Sequence, residues 1–238
     1  SEIRAEWAAQ RIRSLSFARA VRAALLGDGG EVRSLIDEFL YPRLGPGQMW
    51  ETMAAEIARM GGEVRLRAPV TRIRHDGSRV LELEAGGQRL RPAATISSLP
   101  LRDVVALCDP PPPAAVREAA RGLRYRDFIT VALVVRGDDL FPDNWIYVHD
   151  PGVRVGRVQN FRAWSPDMVP DPERTCVGLE YFCFEGDDLW RRSDAELIEL
   201  GARELEAVGL VEPGRVERGW VVRAPKAYPI YDGEYADR

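Results

Sequence analysis

Lysine and histidine are nearly missing from this 238-residue sequence: Lys226 is the only lysine, and His75 and His149 are the only imidazoles. Two separated histidines and three cysteines (Cys108, Cys176, Cys183) with no C-x-x-C argue against a zinc site and against a Ser-His-Asp triad. His75 stands beside an Asp76-Gly77 turn and reads as an exposed side chain. An odd cysteine count in a chain this size fits a reducing compartment, so a cytoplasmic location is expected. No apolar run reaches the length that spans a bilayer. The charged start "SEIRAEWAAQRIRS" is not a signal peptide. An excess of positive charge is lacking as well: a net charge of −4 and a pI near 5.4 argue against a surface for duplex nucleic acid.

Arginine is abundant: of 33 basic residues all but Lys226 are Arg. A GC-rich coding bias explains most of this, yet any anion site would then be built from guanidinium forks, which match phosphate and carboxylate geometry. The hydrophobic content of 45% is enough to fill a real core.

Periodicity divides the chain. Apolar residues at helical spacing mark residues 4–26 and "EVRSLIDEFL" as helices, separated by "GDGG". "QMWETMAAEIARM" is an amphipathic helix closed by Gly61-Gly62. The period then shifts to two through "VRLR", "VTRIRH" and "VLELEA", with hairpin turns at Asp76-Gly77 and Gly86-Gly87. "ATISSLP" reads as a small-residue strand ending at Pro100, followed by the helix "LRDVVALC" and the break "DPPPP". Beyond it lie five strand candidates: "DFITVALVVRG", "NWIYVHD", "VGRVQNF", "TCVGLEYFCF" and "RVERGWVVR". One helix interrupts them, "SDAELIELGARELEAVGL", with Ser193 and Glu196 at capping-box spacing. The expected fold class is α+β: an antiparallel sheet with covering helices plus a small helix and β-hairpin portion. Expected boundaries fall at residues 1–48, 49–108 and 109–238.

Four stretches carry candidate chemistry. Gly45-Pro46-Gly47 precedes a helix, as phosphate loops do. It lacks a preceding strand, and Met49 and Trp50 stand where a dinucleotide fingerprint needs its third glycine, so a structural turn is favoured. In "GRVQNFRAWSP", strand alternation puts Arg157, Gln159, Phe161 and Ala163 on one face and Val158, Asn160 and Arg162 on the other. A forked cation, an amide, the Trp164 plate and the Ser165 hydroxyl suit a phosphorylated sugar or nucleotide; an edge strand with a Ser-Pro turn is the equal alternative. "RAPKAYPIYDGEY" gathers Arg223, Lys226, Tyr228, Tyr231 and Tyr235 in what reads as one loop. It could hold phosphate oxygens, or be a turn fixed by Pro225 and Pro229. The acidic run Glu180, Glu185, Asp187 and Asp188 reads as the flank of a strand end and a helix start rather than a cation site.

"YPRLGPGQMWETMAAEIARMGGEVRLRAPVTRI" with "ATISSLPL" resembles the middle of flavoproteins of the amine oxidase and protoporphyrinogen oxidase superfamily. The second half, with "RVQNFRAWSP" and the later "YPIYD", is similar to the UDP-galactopyranose mutase branch. The resemblance covers nearly the whole chain and implies FAD as cofactor, with residues 49–108 forming part of the FAD-binding domain and 109–238 the substrate sheet. It places Val70 near the adenine, and Ser97, Ser98 and Pro100 near the ribose and pyrophosphate. Gly45 and Gly47 would allow close backbone approach to the flavin site. It places Arg157 with Tyr228 or Tyr231 on a UDP-sugar diphosphate, flanked by Asn160 and Trp164; Arg223, from the reading of 223–235 above, is a further substrate-binding candidate. The N-terminal G-x-G-x-x-G and the C-terminal flavin segment of such proteins are absent, so the sequence reads as an internal piece of a protein about twice as long. The parent is expected to be an FAD-dependent mutase or oxidoreductase, and the piece alone inactive, binding FAD weakly or not at all.

Three functions follow: a mutase-like enzyme holding a nucleotide-sugar diphosphate beside the flavin, a flavin oxidase or desaturase of an apolar or amine substrate, and a nucleotide-sugar binding domain without chemistry. An oxidase pocket should be mostly apolar, and the density of Arg and Tyr at 157–164 and 223–235 leans toward an anionic small-molecule ligand.

Overall fold

The computed structural model describes residues 39–232. The chain divides into two compact units, Ser1–Leu40 with Tyr231–Arg238, and Tyr41–Ile230. The second holds every element described below, while the helices expected over 4–26 and nearly all of "EVRSLIDEFL", together with Tyr235, lie outside the described residues. Among the described residues no helix is long and apolar enough to cross a membrane.

Helix α1 (Gly47–Arg59) forms where the helical period requires it. It stops at Gly61, which adopts φ +85° while its N–H bonds Ala58 O and the Gly62 N–H bonds Ile57 O at 2.8 Å, a Schellman closure that only glycine enters without strain. Strands β1 (Val70–His75), β2 (Val80–Ala85) and β3 (Gln88–Leu90) make consecutive antiparallel hairpins. Both expected turns are present, and Gly86 and Gly87 both take positive φ, as a two-residue hairpin of this hand needs. Helix α2 (Leu101–Leu107) leads into β4 (Cys108–Asp109), which pairs parallel to β1 and completes a four-stranded sheet, β3-β2-β1-β4. Helix α3 (Ala114–Gly122) follows the proline run; the sequence reading leaves this segment unassigned. "ATISSLP" is not a strand here. Residues 93–99 run as exposed coil, and Ile96 is fully exposed.

All five expected strands of the second half form one antiparallel sheet, in the order β6-β7-β8-β5-β9. They are β5 (Tyr125–Arg136), β6 (Trp145–Tyr147), β7 (Arg157–Asn160), β8 (Arg174–Cys183) and β9 (Val216–Pro229). Short helices α4 (Phe161–Trp164) and α5 (Asp188–Arg191) connect strands, and the long helix α6 (Asp194–Ala207) covers one face. Its start carries the expected capping box: Ser193 Oγ accepts from the Glu196 N–H while the Glu196 carboxylate accepts from the Ser193 N–H. Alternation in β5 sends Ile129, Val131, Leu133 and Val135 to this face, where they meet Val177 and Leu179 of β8 and Leu197 and Leu205 of α6, all fully buried. Each such side chain contributes about 1.5–3 kcal/mol of hydrophobic stabilisation, so this layer is the core on which the opposite face rests. Gly201 lets α6 approach: a Cβ there would lie 3.3–3.4 Å from Leu179, Leu133 and Val131.

Candidate functional site

The face of the five-stranded sheet turned away from α6 is lined by aromatic and charged side chains. Register places Tyr147, Arg157, Glu180, Thr130 and Val222 in one row across the five strands, and Trp145, Gln159, Gly178, Ala132 and Trp220 in the next. Further along stand Phe128 and Phe182, then Arg126 and Tyr228. Trp145, Tyr147, Phe182, Trp220 and Tyr228 are each more than a third exposed, an unusual concentration of half-exposed rings on one surface. Two rings are seated by glycines. A Cβ at Gly178 would lie 2.8 Å from Phe161 Cζ, and one at Gly156 would lie 3.0 Å from Phe182 Cδ2.

One polar cluster breaks this aromatic face. Glu180 is 2% exposed and accepts from Arg157 Nε at 2.5 Å and from the Gln159 side-chain amide. The Arg157 guanidinium also lies against the Tyr147 ring, 5.8 Å from its centroid, and a quarter of its side chain stays exposed. The hydrogen bond to Glu180 holds Arg157 more firmly protonated than usual, outweighing the opposing cost of burial. The carboxylate is thus desolvated but paired, the condition under which a buried charge is tolerated.

The side chains expected to bind a diphosphate do not converge. Arg157 faces the open side, with its Nε committed to Glu180. Tyr228 is on the same face, four residues along β5 from the Arg157 row, packed at 6.2 Å from Phe128 and 6.3 Å from Phe182. Arg223 pairs with Ile129 and so points to the α6 side, where it bonds Asp194 Oδ1 at 2.6 Å and Arg192 O at 2.7 Å. The cause is that "RAPKAYP" is not a loop but the end of edge strand β9, where proline is tolerated because no ladder N–H is lost. Asn160 likewise departs from expectation. Strand β7 ends there, and the buried Asn160 caps α4 through Oδ1 bonds from the N–H groups of Arg162 and Ala163, while its amide donates to Phe141 O at 2.8 Å. Phe161 and Ala163 consequently lie in a helical turn rather than on a strand face. Trp164 stacks between Tyr41 at 4.7 Å and Trp145 at 5.2 Å, closing one end of the open face. Tyr231 follows the end of β9 and belongs to the other compact unit.

Among the residues expected at a cofactor, Gly45 takes φ +87° and packs on this chain itself, a Cβ there falling 3.0 Å from Met168 Cε. Its loop is fastened by Ser165, whose hydroxyl donates to Arg43 O at 2.7 Å. Gly47 opens α1 with free space around it. Val70 begins β1 opposite Ala85. Ser97 and Ser98 lie on the exposed coil, and Pro100 precedes α2, its carbonyl accepting from the N–H groups of Asp103 and Val104. Exposed hydroxyls and an unladdered backbone over 93–99 are donors and acceptors of the kind a ribose and pyrophosphate take, so the residues of this stretch are chemically compatible with a dinucleotide. A shallow cleft of about 430 Å³ beside α1, lined by Pro42, Arg43, Gln48, Met49, Thr52 and Met53, is separate from the open face.

A model of the flavin containing amine oxidoreductases matches residues 7–230. The chain belongs to that family, whose members are flavoproteins. Its fold is similar to that of reduced UDP-galactopyranose mutase (TM-score 0.70, 17% identity, 83% of this chain and 42% of that one). It is also similar to a protoporphyrinogen oxidase homologue from Exiguobacterium sp. 255-15 (TM-score 0.65, 19% identity, 84% and 43%) and to putrescine oxidase bound to putrescine (TM-score 0.58, 17% identity, 81% and 43%). The chain therefore spans about two-fifths of the length of these structures. No curated protein matches it.

The strands read as aromatic-rich, but sequence reasoning did not single out most of the rings of this face as site residues. Trp145, Tyr147, Phe182 and Trp220 sit on strands the sequence does show, and alternation within each strand would have grouped them. The order of the strands, which brings them together, leaves no local signal. Glu180 was read with its acidic neighbours along the chain, whereas its partners lie on β7.

Proposed function

We propose that this chain forms the substrate side of an FAD-dependent oxidoreductase acting on a largely apolar or aromatic substrate. The observation that carries this reading is the open face itself: five half-exposed rings around a cation that already has a buried carboxylate partner. Ligand sites of this type combine apolar walls with few fixed polar groups. Trp145, Tyr147, Phe182, Trp220 and Tyr228 would hold the body of the substrate and exclude water, and the Arg157 edge would orient one polar group. Ser97, Ser98 and the backbone near Val70 would hold FAD, which when bound supplies the hydride acceptor.

A second reading, a nucleotide-sugar mutase, is favoured by Arg157 facing the open side and by the fold likeness to UDP-galactopyranose mutase. It is weakened by Arg223 and Asn160, both occupied in structural bonds. Anaerobic mixing of the FAD-loaded full-length protein with a panel of amines and unsaturated lipids, alongside UDP-galactopyranose, separates the two. Bleaching of flavin absorbance by a member of the apolar panel supports the first. Sugar-ring interconversion by the pre-reduced protein, with no bleaching by any apolar compound, would replace it with the second.

A further inference from the structure

We infer that Glu180 is a specificity-determining residue that cancels the charge of Arg157, so that the open face rejects phosphorylated ligands and accepts a neutral polar group. Arg157 on its own would be a phosphate site. It is the cation of the central row, it is a quarter exposed, and the Tyr147 ring lies against its guanidinium. Its Nε contact with Glu180 at 2.5 Å places the opposite charge beside it, and Glu180 is almost wholly buried, so water and salt do little to screen one from the other. An incoming anion meets the Arg157 attraction and the Glu180 repulsion together. Gln159 fixes this arrangement by holding the second carboxylate oxygen, which keeps Glu180 from turning aside. A neutral hydroxyl or carbonyl needs only a donor, and the exposed guanidinium edge supplies one. Desolvating a like-charged or unpaired group is the usual means by which a site excludes the wrong ligand. Two further cations share this face: Arg126 lies farther along, over Phe182 and Phe184 at 5.6 Å from each ring, and Arg218, registered with Val134, lies over Trp220 at 5.3 Å from its ring.

This inference rests on the open face being the ligand side, yet its test measures charge at Arg157 and needs neither flavin nor substrate. Inorganic pyrophosphate and UDP are titrated calorimetrically into the purified full chain and into Glu180→Gln, which keeps the shape and removes the charge. Wild type is expected to bind both at millimolar strength or weaker, and Glu180→Gln about tenfold or more tighter with a steeper salt dependence, as for an unmasked cation. The gain should vanish in Glu180→Gln/Arg157→Gln, which assigns it to Arg157 rather than to Arg126 or Arg218. Should Glu180→Gln fail to fold, the pair variant Arg157→Leu/Glu180→Leu, of a kind that is often neutral for stability, is used instead. It is expected to bind pyrophosphate as weakly as wild type. Tight UDP binding by wild type, weakened in Glu180→Gln or in the pair variant, would show that Glu180 props Arg157 as a diphosphate clamp and overturn the inference. Unchanged binding in Glu180→Gln would also overturn it. Loss of the proposed oxidoreductase activity would leave this charge test intact, so the two readings fail separately.

Discussion

Single residues set how closely the layers of the sheet domain approach, and two glycines on opposite faces show how context decides the cost of a methyl group. A Cβ at Gly219 would meet Leu133 Cδ2 at 2.7 Å, the Ala132 carbonyl oxygen at 2.9 Å and Ile198 Cγ1 at 3.1 Å. A backbone oxygen in a central strand cannot yield, so Gly219→Ala is expected to destabilise the protein by about 2 kcal/mol, within the range for overpacked interiors. At Gly178 the close atom is Phe161 Cζ, the far end of a ring on the half-exposed face. Gly178→Ala is expected to cost under about 1 kcal/mol, while displacing Phe161 into the proposed ligand surface. Urea unfolding midpoints of the two variants check the order; a costlier Gly178→Ala would show that the Phe161 ring is as firmly seated as the core.

Strand β8 gathers the groups that make the fold sensitive to alkali. Burial pushes the Cys176 and Cys183 thiols up to about 11 and raises Tyr181 as well, with the Glu204 carboxylate, which accepts its hydroxyl at 2.9 Å, adding to the shift. Each group holds its proton more tightly folded than unfolded. The contribution of the two thiols is complete below their ordinary value near 8.5 and is lost as pH rises from there through about 11, while that of Tyr181 begins to be lost only above the ordinary phenol value near 10. Melting temperature is therefore expected to fall steadily from pH 8 to 11, and Cys183 to react with a thiol reagent at pH 8 only after unfolding; alkylation of Cys183 in the native protein would refute this. At the other edge of the domain, Ser193→Ala removes the capping hydroxyl of α6 and should cost about 1 kcal/mol in the same urea assay. The elements behind both predictions were legible in the sequence, because period-two alternation in β5 and β8 and the S-x-x-E spacing are local signals. What was not legible is where locality ends. Pro225 and Pro229 read as a turn because edge position is a property of the sheet, not of the segment. Asn160 read as a strand residue because the chain turns helical one residue later. The pairing of Arg157 with Glu180 left no local signal because Glu180 is 23 residues away along the chain and one strand away in space.

Across the molecule, the hairpin portion and the large sheet are tied by the one lysine. Lys226 adopts φ +55°, in the left-handed region, at a register shift of β9 against β5, and its N–H is held by Asp127 Oδ1 at 2.7 Å. Asp127 also accepts from the Glu185 N–H, so one buried carboxylate fixes both the β9 irregularity and the turn after β8. In that posture Lys226 Nζ reaches both oxygens of Asp103 in the first turn of α2, at 2.7 and 2.6 Å, and Arg102 beside it lies over the Tyr125 ring at 5.6 Å. Helix α2 directly follows Ser97, Ser98 and Pro100, the stretch proposed to meet FAD, so this tie sets where that stretch lies relative to the sheet. A half-exposed ion pair contributes little to global stability. Lys226→Met is therefore expected to shift unfolding by less than about 1 kcal/mol yet to speed amide hydrogen exchange over residues 101–107. Lys226→Gly should relieve the left-handed backbone, worth about 1 kcal/mol, while giving the same faster exchange, because the two variants share only the loss of the ammonium. Exchange over 101–107 that stays at the wild-type rate in both would mean that helix packing alone, without the lysine, positions α2.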